Sequence, residues 1–427
     1  MNAGTPDGRR VDVFLAGDAL VVEPWSQVVD PAFVALVERM RAADATIVNL
    51  ETVVHEFRHP AQADSGGTYM ATPPSIAAEL RWAGVDMVSS ANNHAFDYGS
   101  GGILETLEHV GRSGIAVAGI GPDLQHARAP VYHDAAGTRL ALVSMAATFH
   151  PYHRASASRA DVAGRPGVNP LAITHGRMLT LPARALDWVG RLHHLREGRP
   201  IPGEKRLRLL RGAIEIRGGP AHEIGVGARV VAADRRANLD AVRDAAKRAD
   251  IVIAAIHSHD HRRWLRRFAH EAIDAGAAVV HVHGLHAVRG IEVHRGAVVL
   301  YGLGDFVYQP HRVARFPSDQ YEQFGLSPDA RPEDAVDYHD RRYGLHRRET
   351  FEGAAALVSF RDRRPAAVRL LPIDLGFGAP PEERGRPGLA RGALGRRIVA
   401  TIARRSKRYG TRVSYDEARD EGVVPLA

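Results

Sequence analysis

Ser90-Ala91-Asn92-Asn93-His94-Ala95-Phe96-Asp97-Tyr98-Gly99 follows directly on an apolar strand, Asp86–Ser90, and closes on a Tyr-Gly turn ahead of a helical pattern over Gly102–Arg112. Amide, imidazole and carboxylate side chains therefore crowd one strand end. Such groups cost free energy when buried unless they bind a metal or handle protons.

The same event recurs four times. Val11–Ala16 runs into Gly17-Asp18, and Ala45–Val48 into Asn49-Leu50-Glu51. Ile251–Ile256 runs into His257-Ser258-His259-Asp260, and Ala278–Val280 into His281-Val282-His283-Gly284-Leu285-His286. Strands that each deliver metal-type ligands at their C-terminal ends describe a metalloenzyme. Between them lie helical patterns at Pro31–Ala42, Pro74–Trp82, Asn238–Arg248 and Trp264–Ala275, and further strands at Ile115–Ala118, Arg139–Met145 and Ala297–Tyr301. Buried strands alternating with helices predict an α/β protein with its ligands beyond the strand C-termini.

Two regions break this rhythm. Residues 147–235 are rich in Arg, Gly, Pro and His and are expected to form loops and short helices over the site. Part of 190–220 reads equally well as a disordered insertion. Residues 307–350 are polar and form a second expected lid. The division that follows is a metal-binding core over 11–310, with 147–235 inserted, and a C-terminal lid and helical extension over 311–427. The basic amphipathic stretch Leu389–Arg408 reads as a helix docked on that core.

Composition narrows the chemistry. With 427 residues, 45% hydrophobic and 25% charged, a well-packed core is expected. The absence of cysteine rules out disulfides and thiolate metal sites, leaving Asp, Glu, Asn and His as ligands. The net charge of +7 comes almost entirely from arginine, since lysine occurs only at Lys205, Lys247 and Lys407. No aromatic-basic repeat accompanies it, so no nucleic-acid partner is expected. The first ten residues lack the apolar stretch of a signal peptide, and no run of about 18 apolar residues occurs. No membrane partner and a cytoplasmic location are the expectation.

Taken singly, each candidate has a plain alternative. Gly17-Asp18 is an ordinary turn, Glu51 a helix cap, Asn92-Asn93 an amide-held turn, and a lone histidine a core residue. Taken together, Asp18, Glu51 and Asn93 opposite His257, His283 and His286 are hard to explain without a metal. His94 is free for acid/base work, with Asp97 three residues on to orient its ring. His281 lies deeper in its strand and reads as core. His259, Asp260 and His261 read as weaker, loop-borne candidates, and Asp305 as a residue just behind the ligands.

In this order the motifs resemble the CapA-type (poly-γ-glutamate capsule protein) branch of the calcineurin-like metallophosphatase superfamily. The residues that carry the resemblance are Gly17-Asp18, Asn49-Leu50-Glu51, Ala91-Asn92-Asn93-His94 with Asp97-Tyr98-Gly99, and Arg165-Pro166-Gly167-Val168-Asn169-Pro170-Leu171. His257, His283, His286 and Gly302-Leu303-Gly304-Asp305-Phe306 complete the series. The resemblance implies a two-sheet sandwich flanked by helices with the metal between the sheet edges. It also implies Asp18, Glu51, Asn93, His257, His283 and His286 as the metal set, and His94 as the proton-handling residue. The chain departs from the pattern where Leu20 replaces the histidine of Asp-x-His and Val282 the glycine of Gly-His-x-x-His. No anchor or signal of the kind that CapA-type proteins generally carry is expected from these residues.

Two reactions suit this set. A phosphoesterase would use two metals, with His94 protonating the leaving oxygen. An isomerase would use one hard ion, Ca²⁺ or Mg²⁺ in preference to Mn²⁺ or Zn²⁺, and a His/Asp pair on each face of an α-carbon. His94 with Asp97 is one such pair. The other draws on His286 or His257 with Asp18, Asp260 or Asp305, and the sequence does not choose. Soluble CapA-like enzymes that epimerise a residue of ribosomally made lasso precursor peptides are similar in what this chain keeps and lacks, so a peptide substrate is expected. CapA-like polymer or capsule biosynthesis and a metal-stabilised binding protein are the remaining alternatives; the spare imidazole of His94 speaks against a pure binder.

Overall fold

The protein is known here from a computed structural model, which describes residues 10–181, 206–209, 214–218 and 223–426. Chain order gives the architecture. Strands β1 (Arg10–Leu20), β2 (Ala45–Leu50), β3 (Met87–Ser89) and β4 (Ala116–Ala118) lie side by side and parallel. Strands β5 (Val131–Ala135), β6 (Thr138–Ala146), β7 (Ile251–His257), β8 (Val279–His283), β9 (Ile291–His294) and β10 (Ala297–Leu300) build a second sheet in the order β9-β10-β8-β7-β6-β5. The chain then returns to the first sheet with β11 (Asp305–Tyr308), β12 (Glu352–Arg361), β13 (Arg364–Asp374), β14 (Ser414–Asp416) and β15 (Glu421–Val424).

Alternation within the strands explains why the two sheets stack. In β7, Ile251, Ile253 and Ala255 face the first sheet and pack with Val13, Leu15 and Ile47. Val252, Ala254 and Ile256 face the other way, onto Val242 and Phe268. Those two residues belong to helices α4 (Ala232–Ala246) and α5 (Arg263–Asp274). On the far side of the first sheet, Phe14 and Val48 bury Leu36 and Leu80 of α1 (Pro31–Arg41) and α2 (Ser75–Trp82). Helix α1 starts where Asp30 accepts a hydrogen bond from the Phe33 amide at 2.8 Å and Pro31 supplies a preset φ. The layers run helix, sheet, sheet, helix: the helix-flanked sandwich expected from the sequence, with parallel strands apolar on both faces because both faces are covered.

Three expectations change. First, β1 does not stop at Ala16. It runs on to Leu20 after a register shift between Leu15 and Asp18, and pairs with β11 beyond it. Gly17 permits this, since a Cβ there would stand 1.9 Å from the Gly304 carbonyl oxygen. Second, the inserted region contains the expected loops and a short helix (Pro151–His153) up to residue 172, but then a four-stranded sheet (Ile173–Leu181, Arg206–Leu209, Ile214–Gly218, Glu223–Val230). It lies outside the second sheet, with Ile173, Ala228 and Val230 against the α4/α5 layer. Of the stretch 190–220, part of which reads as disordered, residues 206–209 and 214–218 are strands and the others fall outside the described residues. Third, the boundary at residue 310 cuts through the first sheet, because β12 pairs antiparallel with β1 over Arg10–Ala16 and β13 with β12. The expected terminal helix is present as α8 (Gly392–Ser406), with Ile398 and Ile402 in the inter-sheet core. Among the described residues no helix is long and apolar enough to cross a membrane.

Candidate metal centre and its acid/base pairs

Register brings the carboxylates together. Asp305, Asp18, Asn49 and Ser89 are successive partners across β11, β1, β2 and β3. On the facing sheet His257 stands opposite His283. Asp18 is held by Asn49 Nδ2, which donates to its Oδ1 at 2.8 Å, and by the Gly284 amide, which donates to Oδ2 at 2.9 Å. Asn92, the first amide of the opening motif, points away from the cavity. Its Nδ2 donates to the Leu50 carbonyl at 2.8 Å and its Oδ1 accepts from the His94 amide at 3.1 Å. That cross-link fixes the loop so that Asn93 and His94 line the cavity.

Among the described residues three groups of three donors form at this site, each with one ligand atom per residue and all atoms within 4.8 Å of one another: Asp18, His257 and His283; beside it Glu51, His259 and His286; and, sharing residues with both, Asp18, His286 and Asp305. His257 Nε2 lies 3.5 Å from Glu51 Oε1 and links the first two. The fit to a cation shows in what the protein leaves unsatisfied. Both oxygens of Glu51, Asn93 Oδ1, His257 Nε2 and His283 Nδ1 are buried with no hydrogen-bond partner. A buried carboxylate without a donor is costly, and a divalent ion supplies what is missing. Burial first, and then Asp18, pushes Glu51 well above the usual carboxylate range, as burial and Asp305 push Asp18 upward. The set of carboxylates, amide oxygen and imidazoles therefore supports a divalent metal.

Two imidazoles of the strand-end motifs pair with carboxylates; on the same cavity wall His339 Nδ1 also lies 3.1 Å from Asp340 Oδ1, and His150 Nε2 3.4 Å from Asp64 Oδ2. His94 Nδ1 lies 2.9 Å from Asp97 Oδ2, and His286 Nδ1 lies 2.7 Å from Asp305 Oδ1. Asp97 is itself fixed by the Met70 amide at 2.8 Å. His286 sits at φ 46°, a left-handed conformation rare for a side-chain-bearing residue, two residues after Gly284 at φ 107°. The strained turn aims its ring back at Asp305. Burial alone would lower the His286 pKa, yet Asp305, Glu51 and Asp18 together raise it to about 10. An imidazole that carries both protons is no ligand, so His286 can serve the metal or the proton transfer at one time, not both.

Of the alternatives open for the second pair, the geometry joins His286 with Asp305. His257 instead lies 4.0 Å from Asp18. Asp305 is the first residue of β11, within the sheet. His259, a weaker candidate by sequence, joins Glu51 and His286 at the mouth. Asn49 and Asn92 went unassigned, although their place at strand ends was a signal. His281 is buried in the strand as expected. Leu20 lines the cavity where the superfamily pattern has histidine. Tyr308 at the end of β11, and Phe324, His339, Tyr343 and Arg347 from the region after it, line a cavity of about 490 Å³. Tyr308 Oη donates to Asp340 Oδ1 at 2.9 Å, which ties that region to the sheet.

Comparison with known proteins gives the family of the chain. The profile of the bacterial capsule synthesis protein family, PGA_cap, matches residues 12–310, the stretch that holds every donor and both pairs. The uncharacterized protein y4sH of Sinorhizobium fredii is 30% identical over 424 residues, covering 94% of this chain and 90% of that protein. The PGA biosynthesis protein CapA of Bacillus subtilis is 24% identical over 288 residues, covering 66% of this chain and 56% of its own length. Among solved structures, a phosphatase from Mycoplasma pneumoniae aligns with TM-score 0.41 and 11% identity over 86% of this chain and 94% of that one. With the profile matched over most of its length, the chain belongs to the bacterial capsule synthesis protein family PGA_cap.

Proposed function

We propose that this protein is a metal-dependent peptide epimerase that inverts an α-carbon in a ribosomally made, lasso-type precursor peptide. One observation carries the reading: His94–Asp97 and His286–Asp305 come from loops after different strands, and both imidazoles line one cavity beside the donor set. Inversion breaks a C–H bond on one face and forms one on the other, with no net change in atoms or charge. One imidazole accepts the α-proton while the other donates its own to the opposite face, and each carboxylate holds its ring in the tautomer and orientation required. A bound divalent cation would polarise the carbonyl beside the reacting carbon. The region 308–347 covers the cavity, which limits water access to the reacting carbon.

A phosphoesterase is the second reading, favoured by the two adjacent donor groups, which suit a two-metal clamp. Incubation with precursor peptides in D₂O separates the two. Epimerisation predicts deuterium at one α-carbon and a D-residue after hydrolysis, with about one hard ion per chain by elemental analysis. Metal-dependent cleavage of bis(p-nitrophenyl) phosphate, without α-exchange in any peptide and with two transition ions per chain, would sink the epimerase and support the hydrolase.

A further inference from the structure

One wall of the cavity is built from arginine. Arg289, three residues beyond His286, and Arg347, from the covering region, both line it. Arg289 is half-buried, and its Nε is buried with no hydrogen-bond partner. Among the described residues neither guanidinium has a carboxylate partner. More positive charge stands behind them: burial first, and then Arg405, Arg408 and Arg347, disfavour the charge on Arg289. Arg405 donates to the Val288 carbonyl and Arg408 to the Tyr409 hydroxyl. Glu349 partly offsets the like charges around Arg405. Arg347, Arg405 and Arg408 thus add like charge around Arg289 at the cavity wall.

The fold does not need this arrangement. The Arg289 backbone is already fixed, its amide donating to the Gly302 carbonyl at 2.7 Å. A half-buried guanidinium with an idle Nε among like charges is costly unless an anion completes it. Guanidinium forks match the planar, two-oxygen geometry of a carboxylate.

We propose that Arg289 and Arg347 form a carboxylate subsite that anchors the peptide beside the two His–Asp pairs. The inference rests on the peptide-epimerase reading and adds the class of substrate: a peptide whose reacting residue carries or adjoins a free carboxylate. That carboxylate comes from the chain terminus or from an Asp or Glu side chain. In a terminal residue it is one bond from the α-carbon, so anchoring it also places the C–H bond.

Calorimetric titration of the metal-loaded full chain tests the subsite with three probes: N-acetyl-Gly-Phe with a free carboxylate, its C-terminal amide, and N-acetyl-Gly-Glu-amide. The free acid is expected to bind at least tenfold tighter than its amide. Arg289→Gln and, at the exposed position, Arg347→Gln are expected to abolish that preference while Mn²⁺ affinity stays unchanged. Arginine-dependent binding of the Glu probe supports the subsite and names the side chain as its source. Equal binding of acid and amide, together with a Glu probe insensitive to both substitutions, overturns it; so does an acid preference that survives the double variant. Arginine-dependent binding without α-deuteration of any probe or precursor peptide would remove the epimerase reading and leave the subsite standing.

Discussion

Asp97 shows how much one side chain decides. Its carboxylate faces His94 Nδ1 and the amides of Met70 and Gly66, at 2.9, 2.8 and 3.4 Å. Asp97→Asn keeps the shape but offers His94 an amide, so the ring loses its tautomer control. Exchange of the α-proton is expected to fall by about 10²- to 10⁴-fold, with metal content by elemental analysis unchanged; exchange within threefold of the parent would rule out the role. Gly17 acts through space alone. Gly17→Ala would drive a methyl into the Gly304 carbonyl, between Asp18 and Asp305. A loss of about 1–3 kcal/mol in urea unfolding is expected, the usual range for overpacking, and metal affinity should weaken with it. Both residues stood out in the sequence, Asp97 by its three-residue spacing from His94 and Gly17 by preceding Asp18. Asp305 stood among the carboxylates offered for the second pair, but the sequence did not choose it, because it lies 19 positions from His286 and meets it only through the β1–β11 pairing.

Elements were legible where a hydrophobic period distinguishes them. Helices α1, α2 and α5 lie within a few residues of their sequence-read bounds, since their apolar positions recur at helical spacing and Pro or Gly marks their ends. The stretch Ala354-Ala355-Ala356-Leu357-Val358 has no such mark. It is short, apolar and rich in alanine, a pattern that helix and buried strand share, and it forms the middle of β12. Helix α8 matters beyond its own length because it buries Ile398 and Ile402 between the sheets. Ile398→Ala is expected to cost about 2–5 kcal/mol, read as a shifted urea midpoint with unchanged slope. A cost under 0.5 kcal/mol would mean that α8 is an appendage and not part of the core.

Across the whole molecule, buried histidines make stability depend on pH. His55 and His153 are fully buried, with neither ring nitrogen hydrogen-bonded. Burial lowers them to about 4 and about 3. Between those values and the unfolded value of about 6.5 the unfolded chain binds more protons, so stability is full above pH 6.5 and falls as pH drops toward 4. At pH 4.5 the loss is on the order of 2 kcal/mol from each. Urea midpoints at pH 7 and 4.5 should show it, and His153→Gln should recover part; equal midpoints would contradict it. The sequence by itself determined the α/β alternation, the strand-end ligands and the His94–Asp97 pair, because each is written within a few consecutive residues. Only the tertiary structure decided that His286 pairs with Asp305, that residues 352–374 belong to the first sheet, and that Arg289 and Arg347 share the cavity. Those relations are set by strand register and sheet packing, which join residues with no spacing in the chain to betray them.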